Sequence, residues 1–468
     1  MIGRAFAGLL AAQALYLVAG AGLLFAFQSW RTWSSWLRSL GLAYLLGVAA
    51  TGAIASAILP LGGNVSTPVV LAVTLGLAAA GVAVGAARGH RLPRVHGFTL
   101  PGRSPESLVA TALALLTVFV LGDLWRAARW QGVVAWDAWA FWMPKAKAIY
   151  FFGGLDRELF SHLANPTYPL LVPALQAMDF HLMGSAAQSL VALQYWFLLA
   201  GFVAAAAYLL RPIARPAFYW PFLGLATVMP ELDKRIFNQQ GDWPLDIFFA
   251  IAALCVARWL LTREWWLLAP YGVLAAGIFA TKREGQLLLV CLLAPLLAAS
   301  WRRARTAWPA IAGATAVGYV LQLPWHHWYT SRHLVSDSHV GLGQLASYSD
   351  RAGPAYRIVA GLLFDQNLWL IALPIALAAG ALTLLRRDYA LGTLFFGTTA
   401  LGYLGFGWVL WSFTWLPLDY SQQTPIPREV ASLVMLATVL APLLLSRAAA
   451  PAEEPVTGLA QPTAAASA

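Results

Sequence analysis

The sequence has little charge and little cysteine for its length. Only 11% of its 468 residues are charged, whereas 60% are hydrophobic and the mean hydropathy is +0.67. Soluble domains carry about 25% charged residues, so an ordinary soluble protein is excluded. The two cysteines, Cys255 and Cys291, each lie inside an apolar run, which argues against a disulfide framework or a cysteine metal site.

Signature motifs of several enzyme classes are also missing. The chain has no Gly-x-Ser-x-Gly elbow, no phosphate-binding P-loop and no dinucleotide fingerprint, so hydrolases with that elbow, ATPases and Rossmann enzymes have no support. The adjacent histidines His326 and His327 cannot share a helix face, and no His-x-x-x-His pair stands beside a carboxylate. Zinc chemistry is therefore not expected.

Long apolar runs occupy most of the chain, and they are long enough to cross a hydrocarbon layer about 30 Å thick. The sequence predicts an all-α polytopic membrane protein with about thirteen transmembrane helices. The predicted spans are roughly 5–27, 40–60, 67–87, 106–122, 186–210, 216–230, 243–261, 265–280, 285–300, 307–323, 367–385, 390–411 and 429–446.

The arginines predict how the chain crosses the membrane. They concentrate in short connections and at the start of the tail, and such connections stay on the cytoplasmic side. The same rule accounts for the net charge of +10 without any nucleic-acid partner. Two long loops, about 123–185 and 324–366, then lie outside an inner (plasma) membrane, where polar chemistry would be done. The arginines concerned are Arg31, Arg38, Arg88, Arg91, Arg94, Arg103, Arg211, Arg215, Arg258, Arg263, Arg302, Arg303, Arg305, Arg386, Arg387 and Arg447.

This orientation holds only if the apolar stretch Tyr168–Met183 does not span the membrane. The stretch carries Asp179 and His181, and a proline-rich segment precedes it, which is typical of the membrane interface. We therefore expect a helix that lies along the outer surface.

The first outer loop is rich in tryptophan and carries a carboxylate among the rings. Asp137 lies between Trp136 and Trp139, where an ionised group is costly unless it meets a partner or a substrate. Apolar surroundings raise the pKa of a carboxylate, which suits a general base. Two alternatives stay open: the rings form an interfacial belt, and Asp137 caps a helix or pairs with Lys145 or Lys147.

A second group of carboxylates lies at the mouth of the seventh predicted span. Asp242 fits a helix N-cap, with Pro244 in the first turn, so capping alone would explain it. Asp246 is one turn further on, and the two are expected to line one cavity. Together with Asp137 they offer ligands for a divalent cation, which we keep as a possible cofactor.

Cations are predicted at two further points of the outer surface. Lys282 and Arg283 precede Glu284 in a tight turn, and Arg428 opens the last span. Such side chains suit a lipid-linked phosphate. The alternatives are that the turn cations reach to headgroups, with an internal pair between Arg283 and Glu284, and that Arg428 anchors a helix end.

In layout and short motifs the chain resembles the polytopic glycosyltransferases of the GT-C class. This class includes protein O-mannosyltransferases, lipid A aminoarabinose transferases and relatives that modify lipopolysaccharide in the cell envelope. The resemblance covers about 105–446. Its motifs are an Asp early in the first outer loop (Asp137), a Pro-rich start to a surface helix (Asn165–Leu170), an Asp that opens a later span (Asp242), a Lys-x-Glu-Gly turn (Lys282–Gly285) and an Arg that opens the last span (Arg428).

The chain departs from the family pattern in two places. Many members have Asp-Glu at the catalytic loop, whereas Ala138 follows Asp137, and three predicted spans precede the usual first span. The expected division is therefore an N-terminal three-span extension (1–104), a GT-C-like core (105–446) and a disordered cytoplasmic tail (447–468).

The resemblance implies a polyprenyl-phosphate sugar as donor, transferred with inversion to a lipid, glycan or protein acceptor. It implies that Asp137 is the base and that Lys282, Arg283 and Arg428 bind the donor phosphate. The residues expected to contact sugar or acceptor are Trp136, Trp139, Trp142, Asp242, Asp246 and Glu284.

Two other classes explain part of the same pattern. A transporter or flippase of an amphiphilic substrate accounts for the spans and the outer charges, although most predicted spans carry no ionisable group at their centres. An O-antigen ligase or polymerase would use arginines of a large outer loop, for which Arg332, Arg351 and Arg357 are available.

Overall fold

A computed structural model describes residues 2–94, 96–97, 104–335, 348–412, 418 and 425–450. Throughout these ranges the regular elements are helices, without a strand, which confirms the all-α class. The α-helices are α1 Ile2–Phe27, α2 Trp33–Arg38, α3 Leu40–Ile58, α4 Thr67–Ala87, α5 Pro105–Ala128, α6 Met143–Phe152, α7 Arg157–His162, α8 Leu171–Met183, α9 Gln188–Leu210, α10 Pro216–Ala226, α11 Pro230–Asn238, α12 Asp242–Thr262, α13 Leu268–Thr281, α14 Glu284–Ala299, α15 Ala304–Ser331, α16 Ala352–Leu363, α17 Gln366–Trp369, α18 Ala372–Leu385, α19 Tyr389–Ser412 and α20 Pro425–Ala448.

Among the described residues, eight helices are long and apolar enough to cross a membrane: α1, α3, α4, α5, α9, α12, α19 and α20. The number becomes nine if α14 and the bent segment after it form one span. These apolar helices indicate a membrane protein, but the count of about thirteen spans is not confirmed. The expected spans 216–230 and 285–300 are helices of 11 and 16 residues, shorter than the roughly 20 residues that a crossing needs.

The bundle has an enclosed centre and an open perimeter. In each of α3, α12 and α20, 89% of the most apolar 18-residue stretch is buried inside the protein, whereas in α5 the share is 11%. The enclosed helix α12 packs against α9, α13 and α20. Polar groups at its ends are therefore held by neighbouring helices and not by lipid.

The N-terminal helices approach so closely that only glycine fits at their crossings. A Cβ atom at Gly20 would overlap the backbone of Ala43 in α3, and one at Gly47 would overlap the backbone of Tyr16 in α1. Gly22 meets α4 at Ala78 in the same way. Small residues that let helix backbones touch are a common device in membrane bundles.

The structure separates two sets of charged residues along α12 and α20. The two helices are parallel, because their first turns are neighbours: Arg428 of α20 lies 3.8 Å from Asp242 of α12. At their other ends Arg258 pairs with Glu264 at 2.6 Å, and Arg447 pairs with Asp388 at 2.8 Å. The arginine-rich end of the bundle is thus opposite the end that holds the predicted site residues.

The loop details expected from the sequence are not confirmed. The stretch after Tyr168 forms helix α8, but α8 is covered by α1, α3 and α6 instead of lying open on a surface, because its apolar side chains pack on all sides. At Pro324, where the second outer loop was expected to begin, the chain is still helical, since α15 continues to Ser331 and buries Trp325 and Trp328. Of the predicted tail, Arg447 and Ala448 belong to α20, and 451–468 lie outside the described residues.

We expect Gly20→Val to separate α1 from α3, because a larger side chain meets backbone that has no room to move. Overpacking of this kind costs about 1–3 kcal/mol or more. The thermal unfolding midpoint of the purified protein in detergent should fall. Gly76→Val in α4 is the control, since a Cβ there meets nothing within 4 Å, and an equal effect at both positions would contradict the close contact.

Candidate active site

Five segments that are far apart in sequence meet at one end of the bundle. They are the turn and π-helix around Asp137 and Ala138–Trp142, the turn at Asn165–Tyr168, the start of α12, the turn between α13 and α14, and the start of α20. The expected base, the expected phosphate-binding cations and the carboxylates of α12 are therefore neighbours in space.

Asp137 makes an ion pair with Arg428 across 291 residues of chain. The Arg428 Nη1 lies 2.5 Å from the Asp137 Oδ2 and also donates to the Gln240 Oε1 at 2.9 Å. The side chain of Asp137 remains 20% exposed, so a ligand has access to it. The alternative pairing with Lys145 or Lys147 is wrong, because the partner comes from the last helix.

Lys282 is the centre of a buried network of charges. Its ammonium group lies 2.8 Å from Asp242, 3.2 Å from Glu429 and 3.4 Å from Glu284. Burial opposes the charged form, but the three carboxylates outweigh it and hold the pKa of Lys282 well above its ordinary value. The lysine is thus a fixed positive charge, and it does not extend to lipid headgroups as the alternative required.

The start of α12 explains how Asp242 reaches this network. Gly241, and not Asp242, is the N-cap residue, so Asp242 is the first residue of the helix and its carboxylate is free to meet Lys282. A Cβ at Gly241 would lie 2.8 Å from the ring of Trp142 and 3.1 Å from the Lys282 side chain. Trp142 therefore closes over the backbone at this point and is buried.

Asp246 is engaged in a separate buried pair one turn deeper. Its Oδ2 accepts a hydrogen bond from Arg235 Nη1 at 2.8 Å, and its Oδ1 accepts one from the Ser432 hydroxyl. Arg235 also donates to the Pro427 carbonyl at 3.1 Å. Because both oxygens of Asp246 are occupied and it is 1% exposed, it joins α11, α12 and α20 and does not face the cavity that was expected between it and Asp242.

The carboxylates are arranged around cations and not around a metal position. Within the described part of the chain, no group of three or more His, Cys, Asp or Glu side chains is placed to hold a metal ion. The divalent cation suggested by the sequence stays an untested expectation.

Tyr168 connects the tryptophan segment to the cationic turn. Its ring packs against Phe141 and Trp142, and its hydroxyl lies 3.5 Å from the Glu284 Oε1. Burial raises the pKa of this hydroxyl, and the nearby Glu284 carboxylate raises it further. Arg283 lies 6.0 Å from the same ring and donates to the Thr167 hydroxyl, so the expected internal pair with Glu284 is replaced by these contacts.

The three tryptophans expected to contact sugar divide into two groups. Trp136 and Trp139 are 53% and 55% exposed, and their ring centroids are 6.1 Å apart. Trp142 is buried and packs against Phe141 and Tyr168. Two indole faces are therefore available to a ligand beside Asp137, while the third supports the site from within.

Three residues of the site were missed by sequence reasoning. Glu429 completes the surroundings of Lys282, Arg235 holds Asp246, and Lys145 is fully buried and donates to the carbonyls of Asn165 (2.7 Å) and Pro166 (3.3 Å). Burial lowers the pKa of Lys145 well below its ordinary value. The sequence offered little signal for the last of these, because Lys145 stands between Pro144 and Ala146 in a loop expected to face water.

The charge balance sets what the site binds. Asp137, Asp242, Glu284 and Glu429 are shared between the cations Lys282 and Arg428. An anion could reach one of these cations only by taking the place of a carboxylate beside it. A hydroxyl ligand needs no exchange, since the same carboxylates accept its hydrogen bond.

No protein-family model, curated protein or solved structure matches this chain. The family resemblance drawn from the sequence thus remains an expectation.

We expect Gly241→Ala to disturb the site, because the added methyl group meets the Trp142 ring and Lys282 side chain. The unfolding midpoint in detergent should fall by an amount equivalent to about 1–3 kcal/mol. Gly122→Ala, in α5, is the matched control: its Cβ meets nothing within 4 Å, and alanine there should be neutral or stabilising by up to ~1 kcal/mol. Equal behaviour of the two variants would contradict the packing described here.

Proposed function

We propose that this chain is a membrane glycosyltransferase that moves a hexose or pentose from a polyprenyl-phosphate donor to an acceptor hydroxyl. The observation that supports the proposal is that the motif residues converge in space. The motifs on which the family resemblance rests are scattered from residue 137 to residue 428, yet their side chains meet in one network at one end of the bundle. A set of helix-end anchors or caps would have no reason to meet.

Asp137 suits the role of general base in this reaction. Its Oδ2 lies beside the Arg428 guanidinium and its side chain is partly exposed, so an acceptor hydroxyl can reach a carboxylate oxygen that is able to take a proton. The acceptor oxygen attacks the anomeric carbon while the bond from that carbon to the phosphate oxygen breaks. The electron pair leaves with polyprenyl phosphate, and the acceptor proton passes to Asp137.

The cations are suited to stabilise the negative charge of the leaving phosphate group. Negative charge develops on the phosphate as the bond breaks, and Lys282, Arg283 and Arg428 are placed to stabilise it. For Arg428, donor binding exchanges its contact with Asp137 for one with phosphate, which frees the base at the moment when the acceptor needs it. Lys282 stays charged throughout because its carboxylates surround it.

The remaining site residues suit recognition of neutral sugar. The exposed faces of Trp136 and Trp139 offer apolar area for a sugar ring. The carboxylates of Asp242 and Glu284 accept hydrogen bonds from sugar hydroxyls. Under the proposed orientation this end of the bundle lies on the outer, periplasmic side of the inner membrane, and the acceptor is a lipid, glycan or protein of the envelope.

The proposal is tested by mass spectrometry of envelope glycolipids and polyprenyl-phosphate sugars in cells that lack the protein. We expect one glycan mass to disappear and its polyprenyl-linked donor to accumulate. Wild type should restore both, and Asp137→Asn at matched expression should restore neither, because an amide cannot accept the proton.

Asp123→Asn is the matched control for that experiment. Asp123 lies in α5, shortly before the tryptophan-rich segment that holds Asp137. Among the described residues its only ion pair is an exposed one with Arg126 at 3.2 Å. This variant should behave as wild type. Full restoration by Asp137→Asn would show that Asp137 is not the base.

A transporter or flippase of an amphiphilic substrate is the second candidate function. The observation that favours it is a buried carboxylate away from the site. Asp179 in α8 is fully buried and accepts hydrogen bonds from Tyr16 at 3.0 Å and Gln13 at 3.4 Å, while burial raises its pKa well above the ordinary value. Buried ionisable groups of this kind are common in proton-coupled carriers.

The two candidates differ in which carboxylate is essential. A transferase loses activity with Asp137→Asn and keeps it with Asp179→Asn, whose amide preserves the shape of the buried group. A proton-coupled carrier shows the reverse. The same complemented strains and the same lipid measurement separate them.

A further inference from the structure

We propose that a cleft at the arginine-rich end of the bundle binds the headgroup of an anionic phospholipid. The cleft has a volume of about 850 Å³ and lies between the end of α2, the first turns of α5, the end of α9 and the start of α10. It is separate from the candidate active site. Tyr208 in its wall contacts Arg258, which is sixteen residues after Asp242 in α12 and therefore roughly 24 Å along the helix axis.

The charge of the cleft suits a phosphate. Arg38 and Arg211 both line it, and neither makes an ion pair with any carboxylate in the described ranges. Glu106 also lines the cleft, and it is exposed to solvent. Two guanidinium groups without an ion pair among the described residues are a strong site for phosphate oxygens, and the Ser107 hydroxyl, which also lines the cleft, adds a donor.

The walls of the cleft suit a lipid and not a free anion. On one side α5 presents Ala110 and Ala114, and on the other α9 presents Ala204 and Ala207, so the floor is apolar and unobstructed. Helix α5 is the least enclosed of the candidate spans and lies on the perimeter. An acyl chain therefore has direct access to the cleft from the bilayer.

The position of the cleft along the membrane normal also suits a headgroup. The cleft lies where α2, α9 and α10 begin or end, and Tyr219 and Trp220 of α10 line it. Tyrosine and tryptophan concentrate at the level of lipid headgroups. Connections rich in arginine face the leaflet that carries the most anionic lipid, where each nearby cation contributes about 1 kcal/mol of attraction.

The test uses the purified full-length chain in detergent, titrated with phosphatidylglycerol or phosphatidylcholine and followed by native mass spectrometry. We expect phosphatidylglycerol to bind preferentially. The double variant Arg38→Gln, Arg211→Gln should weaken its binding about thirtyfold, which corresponds to the loss of about 2 kcal/mol of electrostatic attraction. Arg91→Gln, an exposed arginine outside the cleft, is the control and should bind as wild type.

Two further measurements are made, one with a charge-preserving variant and one with inorganic phosphate as competitor. Arg38→Lys, Arg211→Lys preserves the charge and should retain most of the binding, which separates loss of charge from loss of fold. Inorganic phosphate at millimolar concentration should compete weakly, because it lacks the acyl chain. Equal binding of the two phospholipids, equal loss in Arg91→Gln, or full competition by inorganic phosphate would each overturn the assignment to an anionic phospholipid.

Discussion

The ammonium group of Lys282 is buried at the junction of α12, α14 and α20, and it is stable there only because carboxylates surround it. Asp242, Glu284 and Glu429 each lie within 3.4 Å of it. Removing one partner of a buried ion pair costs about 3–5 kcal/mol, because an uncompensated charge remains. The network therefore fixes how the three helices meet, and it positions Arg428, the next residue back from Glu429, beside Asp137. The geometry of the candidate base thus depends on a lysine that does not touch it.

Other packing and hydrogen-bond contacts also orient the residues of the candidate site. Trp142 closes over Gly241, which lets α12 begin at Asp242 and directs that carboxylate toward Lys282. Lys145 holds the Asn165 and Pro166 carbonyls, and the turn that they form presents Tyr168 to the cations. Many polar groups at this end thus contact one another, whereas the buried Glu284 Oε2, Arg428 Nε and both side-chain polar atoms of Gln239 have no hydrogen-bond partner among the described residues. A site of this kind is pre-organised, and a ligand enters it by exchanging contacts instead of creating them.

Sequence reasoning found the single residues of this site but not their pairing. Asp137, Lys282 and Arg428 stand out because each is a charge at the edge of an apolar run, and a charge in that position needs a partner. Which partner it has depends on how α20 packs against α12, and the pair is 291 residues apart in the chain. Helical class followed from composition. The number of spans did not. Helices of 11 to 16 residues are too short to cross a membrane alone, but their apolar composition makes them look like spans in the sequence. The burial of α8 was missed for a related reason, since Asp179 suggested an exposed helix and is instead paired inside the bundle.

We propose that Lys282 and Arg428 bind the phosphate of a polyprenyl-phosphate donor. The most direct measurement is equilibrium binding of polyprenyl phosphate to the purified chain in detergent, comparing wild type with Arg428→Gln and with Asp179→Asn. We expect Arg428→Gln to weaken binding about tenfold, as the loss of a charge-assisted contact implies, and Asp179→Asn to leave it unchanged. Unchanged binding in Arg428→Gln together with loss in Asp179→Asn would rule out this phosphate site and place the phosphate elsewhere in the bundle.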